Sequence, residues 1–231
     1  MFSPDARRIV YGKAYGHSPV LAMLSLQEGV VPQDLPEGVL DFPSDWSPDG
    51  RFIAETSIPR THSSSRPNGG AYLVDLARKS ELVPLSDGSA RGAVFAPDGR
   101  SIAFLANDSG HSEAYVQSFN PETRRLTGTR HQISRGGAGT LRWPKPGREL
   151  FYLGYDYWIY AATLTGEPKR LFPVPRQAIS MLHPPFGFDV ASGGEHFLLP
   201  AYRGDRPLSL AVVLNWENLV GSTSSGVAAT R

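Results

Sequence analysis

The chain has no cysteine, so disulfide frameworks and thiolate metal sites are excluded and the redox compartment is left open. It has little net charge: 23 Lys and Arg against 22 Asp and Glu leave +1 at neutral pH. That balance provides no electrostatic footprint for nucleic acid or another polyanion. No apolar run approaches the length of a membrane span, and no amino-terminal signal peptide is visible. Amphipathic helical periodicity is lacking as well. What the chain has in excess is punctuation. Its 24 Gly and 20 Pro cut 231 residues into short apolar runs, and 40% hydrophobic residues suffice for a sizeable core. Short punctuated runs without helices describe an all-β chain.

One of those runs recurs. An aromatic residue, Ser or Ala, Pro-Asp-Gly-Arg and an apolar strand appear as FSPDARRIVY from Phe2, WSPDGRFIAE from Trp46 and FAPDGRSIAF from Phe95. The unit fades into WPKPGRELFY from Trp143 and VASGGEHFLL from Val190, at intervals of 44, 49, 48 and 47 residues. A period of that size, carrying turn-then-strand units, marks a β-propeller with about one blade per repeat. The residue types follow from the turn. Proline presets φ near about −65°, and the residue before it stays extended. Asp accepts hydrogen bonds from backbone just ahead of it, and Gly50, Gly99, Gly147 and Gly194 supply a positive φ, with Ala6 as the exception. Arg7, Arg51, Arg100 and Arg148 stand at the hairpin mouth, where a solvated or turn-bracing role is expected.

The strand after each turn alternates. Ile9, Ile53, Ile102, Leu150 and Phe197 share a face with Tyr11, Glu55, Phe104, Tyr152 and Leu199. The residues between them are also apolar, as expected where neighbouring sheets cover both faces. Glu55 is the odd member; the strand is expected to end there, with the carboxylate reaching solvent. Third strands are predicted at Ala71–Leu76, Ala114–Phe119, 157–164 and 209–216, and weaker outer strands at 81–85, 132–134 and 170–172. Thr56 to Gly70 reads as a polar surface insertion, and 221–231 as a flexible tail after a repeat domain spanning 1–220.

These repeats resemble the Pro-Asp-Gly propeller repeats of the TolB-like family, relatives of WD-repeat propellers. A closer resemblance is to the propeller at the C-terminal end of bacterial serine/threonine-kinase-like membrane proteins. It is carried by Glu113 to Leu153, by GFDVASGGEHFLL from Gly187 and by LAVVLNWENLV from Leu210. The resemblance implies four-stranded antiparallel blades and an extracytoplasmic location, with a cytoplasmic one left open. It departs at Lys145-Pro146-Gly147 and Ser192-Gly193-Gly194, where local turn geometry is in question. A blade needs an inner strand before its aromatic, and Phe2 is preceded by Met1 alone. The expected architecture is therefore an incomplete propeller of about five repeats, with a closed five-bladed ring as the alternative.

Catalytic signatures are missing. Gly110-His111-Ser112-Glu113-Ala114 approaches a nucleophile elbow, but a strand follows where a helix is required. No kinase glycine loop, His-Arg-Asp or Asp-Phe-Gly occurs. The six histidines are scattered without metal-ligand spacing; His111 with Asp108 is the nearest thing to a loop site, and a hydrogen-bonded loop histidine is the simpler reading. No catalytic residue, metal or cofactor is therefore predicted. Two groups are candidates for binding. Asp45, Arg142 and Asp189 stand immediately before repeat starts on inner strands, where they would hold a polar ligand or form a structural ion network. Tyr155, Asp156 and Trp158 form an aromatic-rich turn, suited to a binding surface or to packing between blades. The expected function is a non-enzymatic binding or scaffolding propeller for a protein, peptide or small polar ligand, part of a larger bacterial protein. The alternatives are a glycosidase- or lyase-type enzyme using Asp45 and Asp189, and a structural fragment without a ligand.

Overall fold

A computed structural model of the chain describes residues 1–15, 18–27, 29–35, 42–57, 70–78, 81–85, 90–174, 187–203 and 206–214. Residues 58–69 of the insertion and the tail at 221–231 lie outside them, while Thr56 and Gly70, at the ends of the predicted insertion, belong to strands. The described residues form antiparallel sheets and one short 3-10 turn, Leu76–Arg78. They divide into two compact units, Met1–Gln132 and Ile133–Arg231.

The first unit holds three sheets. Strands β1 (Arg8–Tyr15), β2 (Ser18–Ser25) and β3 (Gln33–Asp34) form a three-stranded sheet. Strands β4 (Phe42–Trp46), β5 (Phe52–Ser57), β6 (Gly70–Asp75) and β7 (Glu81–Pro84) form a four-stranded one in chain order. Strands β8 (Arg91–Phe95), β9 (Ser101–Ala106), β10 (Glu113–Asn120) and β11 (Arg125–Gln132) repeat it. The second unit holds β12 (Ala138–Arg142), β13 (Leu150–Gly154), β14 (Trp158–Ala162) and β15 (Lys169–Pro173) in a four-stranded sheet. It also holds β16 (Asp189–Val190), β17 (His196–Arg203) and β18 (Arg206–Leu214) in a three-stranded one.

The repeated turn is built the same way in four copies. Ser3, Ser47, Ala96 and Ala191 each donate their amide across the hairpin, to Arg8, Phe52, Ser101 and His196. Each carbonyl then accepts the amide three residues on, from Ala6, Gly50, Gly99 and Gly194. The aspartates act as expected: Asp49 Oδ1 accepts from Ser47 Oγ at 2.6 Å and from the Arg51 amide at 3.0 Å, and Asp98 takes the Arg100 amide at 2.8 Å. Ser3 and Arg7 hold the Asp5 carboxyl below its ordinary pKa in the same way. Gly50, Gly99 and Gly194 have positive φ, and Ala6 adopts +54° without being glycine. Gly147 differs from expectation. Its φ is not positive; a Cβ there would lie 2.7 Å from the Pro144 carbonyl oxygen, so close backbone approach is what demands glycine. That turn contains a cis Lys145–Pro146 bond.

Alternation then builds the cores. Trp46, Ile53 and Val74 pack against Val10 and Leu21 of the first sheet. The opposite face of the second sheet, Phe52, Ala54 and Leu73, packs against Phe95, Ile102, Phe104 and Phe119 of the third. In the second unit Phe151, Leu153 and Phe172 pack against Phe197 and Leu199. The second sheet, between the first and the third, is thus apolar on both faces, and burying such side chains stabilises by about 1.5–3 kcal/mol apiece.

Two expectations are corrected. The outer strand placed at 132–134 is β11, Arg125–Gln132. Its sequence, RLTGTRHQ, is exposed along most of its length, so no apolar alternation marks it. Glu55 does not end its strand: β5 continues to Ser57, and Glu55 is 0% exposed. Pairing on both edges, with Pro43 in β4 and Tyr72 in β6, keeps it inside the sheet.

Candidate functional site

The sequence candidates separate into three places. Asp45, at the end of β4 in the first unit, accepts the Phe95 amide at 2.7 Å through Oδ2 and so ties β4 to β8. Arg142 and Asp189, in the second unit, come together: Arg142 Nε lies 3.5 Å from Asp189 Oδ1. Arg142 also donates to the Leu141 carbonyl at 2.8 Å and lies 6.0 Å from the Phe188 ring centre. This pair joins β12 to β16. The loop histidine is likewise engaged, with His111 Nε2 2.8 Å from Glu113, while Asp108 is taken by Arg130. No group of three or more metal-ligating side chains occurs among the described residues.

The third place is the turn from β13 into β14. Gly154 accepts the Tyr157 amide at 3.0 Å, and Tyr157 adopts a φ of +69°. Asp156 stands at the centre of a ladder of side chains. Its Oδ2 accepts from the Tyr160 hydroxyl at 2.8 Å and from Arg170 at 2.9 Å; its Oδ1 accepts the Trp158 amide at 3.3 Å. The Arg170 guanidinium lies 3.9 Å from the Trp158 ring centre, and Tyr160 stacks on Tyr152 at 4.9 Å with 4° between the planes. Burial and the bond to Asp156 push the Tyr160 phenol above its ordinary pKa. Pairing of Tyr160 with Arg170 across β14 and β15 puts the two donors on one carboxylate.

Tyr155 is the exposed aromatic of the cluster, 51% accessible, and its ring is seated on glycine. A Cβ on Gly137 would meet the Tyr155 ring at 2.3 Å, and the Gly137 φ of +102° is closed to other residues. The turn therefore holds an aromatic ring backed by Gly137 and, three residues on, an indole carrying a stacked cation. Neither kind of group loses much freedom when a ligand settles on it.

Comparison with known proteins fixes what carries this surface. No family model matches the chain, and no curated protein matches it either. Solved structures do. TolB from Acinetobacter baumannii superposes with a TM-score of 0.72 at 17% identity, covering 93% of this chain and 50% of TolB. The fold is a β-propeller. A structure of a nidogen/laminin complex matches at a TM-score of 0.62 and 14% identity, over 93% of this chain and 74% of the other. Oligogalacturonate lyase from Vibrio parahaemolyticus matches at 0.61 and 15%, over 93% of this chain and 61% of the lyase. The chain spans about half the length of TolB. At such identities the likeness concerns the propeller and its blades, not a site. In propeller terms the Tyr155 turn joins the second and third strands of a blade. Reading the sequence found Tyr155, Asp156 and Trp158 but missed Tyr160, Arg170 and Gly137. Those three join the cluster through strand pairing and close backbone approach, which spacing alone does not reveal.

Proposed function

We propose that the chain is a non-enzymatic propeller module that binds a protein or peptide through the Tyr155–Trp158 turn. The observation that carries this reading is Tyr155, an accessible ring held on Gly137 in the same turn that carries the Arg170–Trp158 stack. Exposed aromatic and arginine side chains are the residue types that anchor interfaces. The other candidates favour structural work: the Asp45 carboxylate holds the Phe95 amide and Asp189 faces Arg142, so both acids of the enzymatic alternative have partners. The finer likeness to kinase-linked propellers, with an extracytoplasmic location, belongs to the same proposal. No helix among the described residues is long and apolar enough to cross a membrane.

Selection of a random-peptide phage library on the purified protein tests the reading. It expects a peptide consensus whose binding falls about tenfold or more in Tyr155→Ala. Gly137→Ala is expected to weaken it too, because it displaces the ring while leaving Tyr155 in place. Absence of a consensus, or binding indifferent to both variants, would reject the site. Turnover of polygalacturonate or chromogenic glycosides that disappears in Asp45→Asn or Asp189→Asn would instead establish the enzymatic alternative.

A further inference from the structure

A second surface lies in the first unit, apart from the Tyr155 turn. Between β7 and the β10–β11 hairpin runs a groove of about 440 Å³, lined by Glu81 to Leu85 on one side and Thr123 to Leu126 on the other. Its floor is apolar: Val83 and Leu126 are partly buried against the core that contains Phe95 and Phe119. Arg124, held with a φ of +58°, crosses to Glu81 in an ion pair that ties the two walls. Arg125 is exposed on the hairpin wall. With Arg124 matched by Glu81, Arg125 leaves an excess of positive charge beside an apolar floor.

The edge of β7 supplies the remaining ingredient. Leu85 donates its amide to Ala71 at 2.9 Å, so by alternation Val83 and Glu81 bond to β6 while Leu82 turns its amide and carbonyl outward. Beyond β6, no strand among the described residues pairs with β7. An outward-facing peptide unit beside an apolar floor is what an extended chain needs to add as a further strand. Pro84 limits that edge, since it has no amide to donate, and so keeps the added segment short.

We propose that this groove docks a short extended peptide in which leucine-like residues are flanked by acidic ones. The apolar residue covers Val83 and Leu126, the backbone pairs with Leu82, and the carboxylates meet Arg125 and the Arg124–Glu81 pair. Charge complementarity selects the acidic peptide; a cationic one meets Arg125 with like charge.

Two fluorescein-labelled peptides test this on the whole chain by anisotropy, one alternating Leu with Asp and one alternating Leu with Lys. The Leu/Asp peptide is expected to bind, and Arg125→Glu to weaken it about tenfold while admitting the Leu/Lys peptide. Arg125 is exposed, so that variant leaves folding intact, and a thermal melt verifies it. Val83→Asp is expected to lose the Leu/Asp peptide, and Tyr155→Ala to leave its binding unchanged. That last control separates failure of this groove from failure of the Tyr155 surface. Equal binding of the two peptides, binding of neither, or indifference to Arg125→Glu would overturn the proposal.

Discussion

Phe2 and Trp46 open the same turn, and the same pair of backbone hydrogen bonds stands behind each. Yet Phe2 is 61% exposed, Trp46 2% and the third copy, Phe95, 0%. The residues that follow show the same contrast: Ile9 is half-buried where Ile53 and Ile102 are fully covered. Local chemistry is thus complete in the first repeat without the burial that accompanies it elsewhere. The turn is made by its own five or so residues; the core is made by the neighbouring sheet. Trp46 has the first sheet against it, and Phe95 has the second. Conservation of a motif within a chain therefore does not imply equal contributions to stability.

Replacement by alanine breaks this comparison most directly. Trp46→Ala and Phe95→Ala are each expected to destabilise by about 3–5 kcal/mol, as deletions of buried aromatics do. Phe2→Ala is expected to cost about 0.5 kcal/mol or less, as for an exposed side chain. Urea denaturation followed by circular dichroism measures all three. Comparable losses at Phe2 and Phe95 would mean that the aromatic stabilises through its turn and not through the adjoining sheet.

A smaller contrast concerns the motif arginines. Arg51 reaches Asp75 with two bonds, at 3.1 and 3.0 Å, whereas strand register places Ser25 and Ser118 where Asp75 stands in the second sheet. Arg7, the counterpart of Arg51, is exposed. Burial on its own would raise the Asp75 pKa, but Arg51 and the Ala77 amide outweigh it and hold the carboxyl below its ordinary value. Asp75→Asn is expected to destabilise by about 2–3 kcal/mol at neutral pH, and Arg7→Met by less than about 0.5 kcal/mol. Because the folded pKa is lowered, the Asp75 contribution is present above the unfolded value of about 4 and is lost as pH falls through the folded one. The gap between wild type and Asp75→Asn should therefore narrow in acid. Urea midpoints at neutral and acid pH check the sign, and a gap that widens in acid would refute the assignment.

What could be read from the sequence follows the same division. The turns were legible because Pro, Asp and Gly act within a few residues of themselves, and the apolar strands because period-two alternation is local. β11 escaped because RLTGTRHQ, an outer strand, has no buried face to impose alternation. Glu55 was misplaced because residue type suggested solvent while pairing on both edges put it inside. At the Tyr155 turn the contiguous aromatics were visible in the chain. Arg170 and Gly137 were not, since register and close approach, properties of the folded sheet, bring them there.

The smallest expected effect separates local strain from packing within the turn itself. Ala6 holds a φ of +54° at the position where Gly50 holds +72° and Gly99 +68°. A Cβ in that region crowds the following carbonyl, at about 1–2 kcal/mol, and glycine escapes this at some loss of unfolded-state order. Ala6→Gly is therefore expected to stabilise by about 0.5–1 kcal/mol, a gain that does not depend on what covers Phe2. Gly50→Ala is expected to destabilise by about 1 kcal/mol for the converse reason. Crowding adds little there, because the new Cβ would meet the end of the flexible Arg8 side chain at 3.4 Å. Urea midpoints moving in opposite directions would show that one backbone geometry governs both turns. A loss of stability in Ala6→Gly would show that the Ala6 methyl group contributes more through packing than its φ costs, and the first repeat would then differ from the second in its turn as well as in its burial.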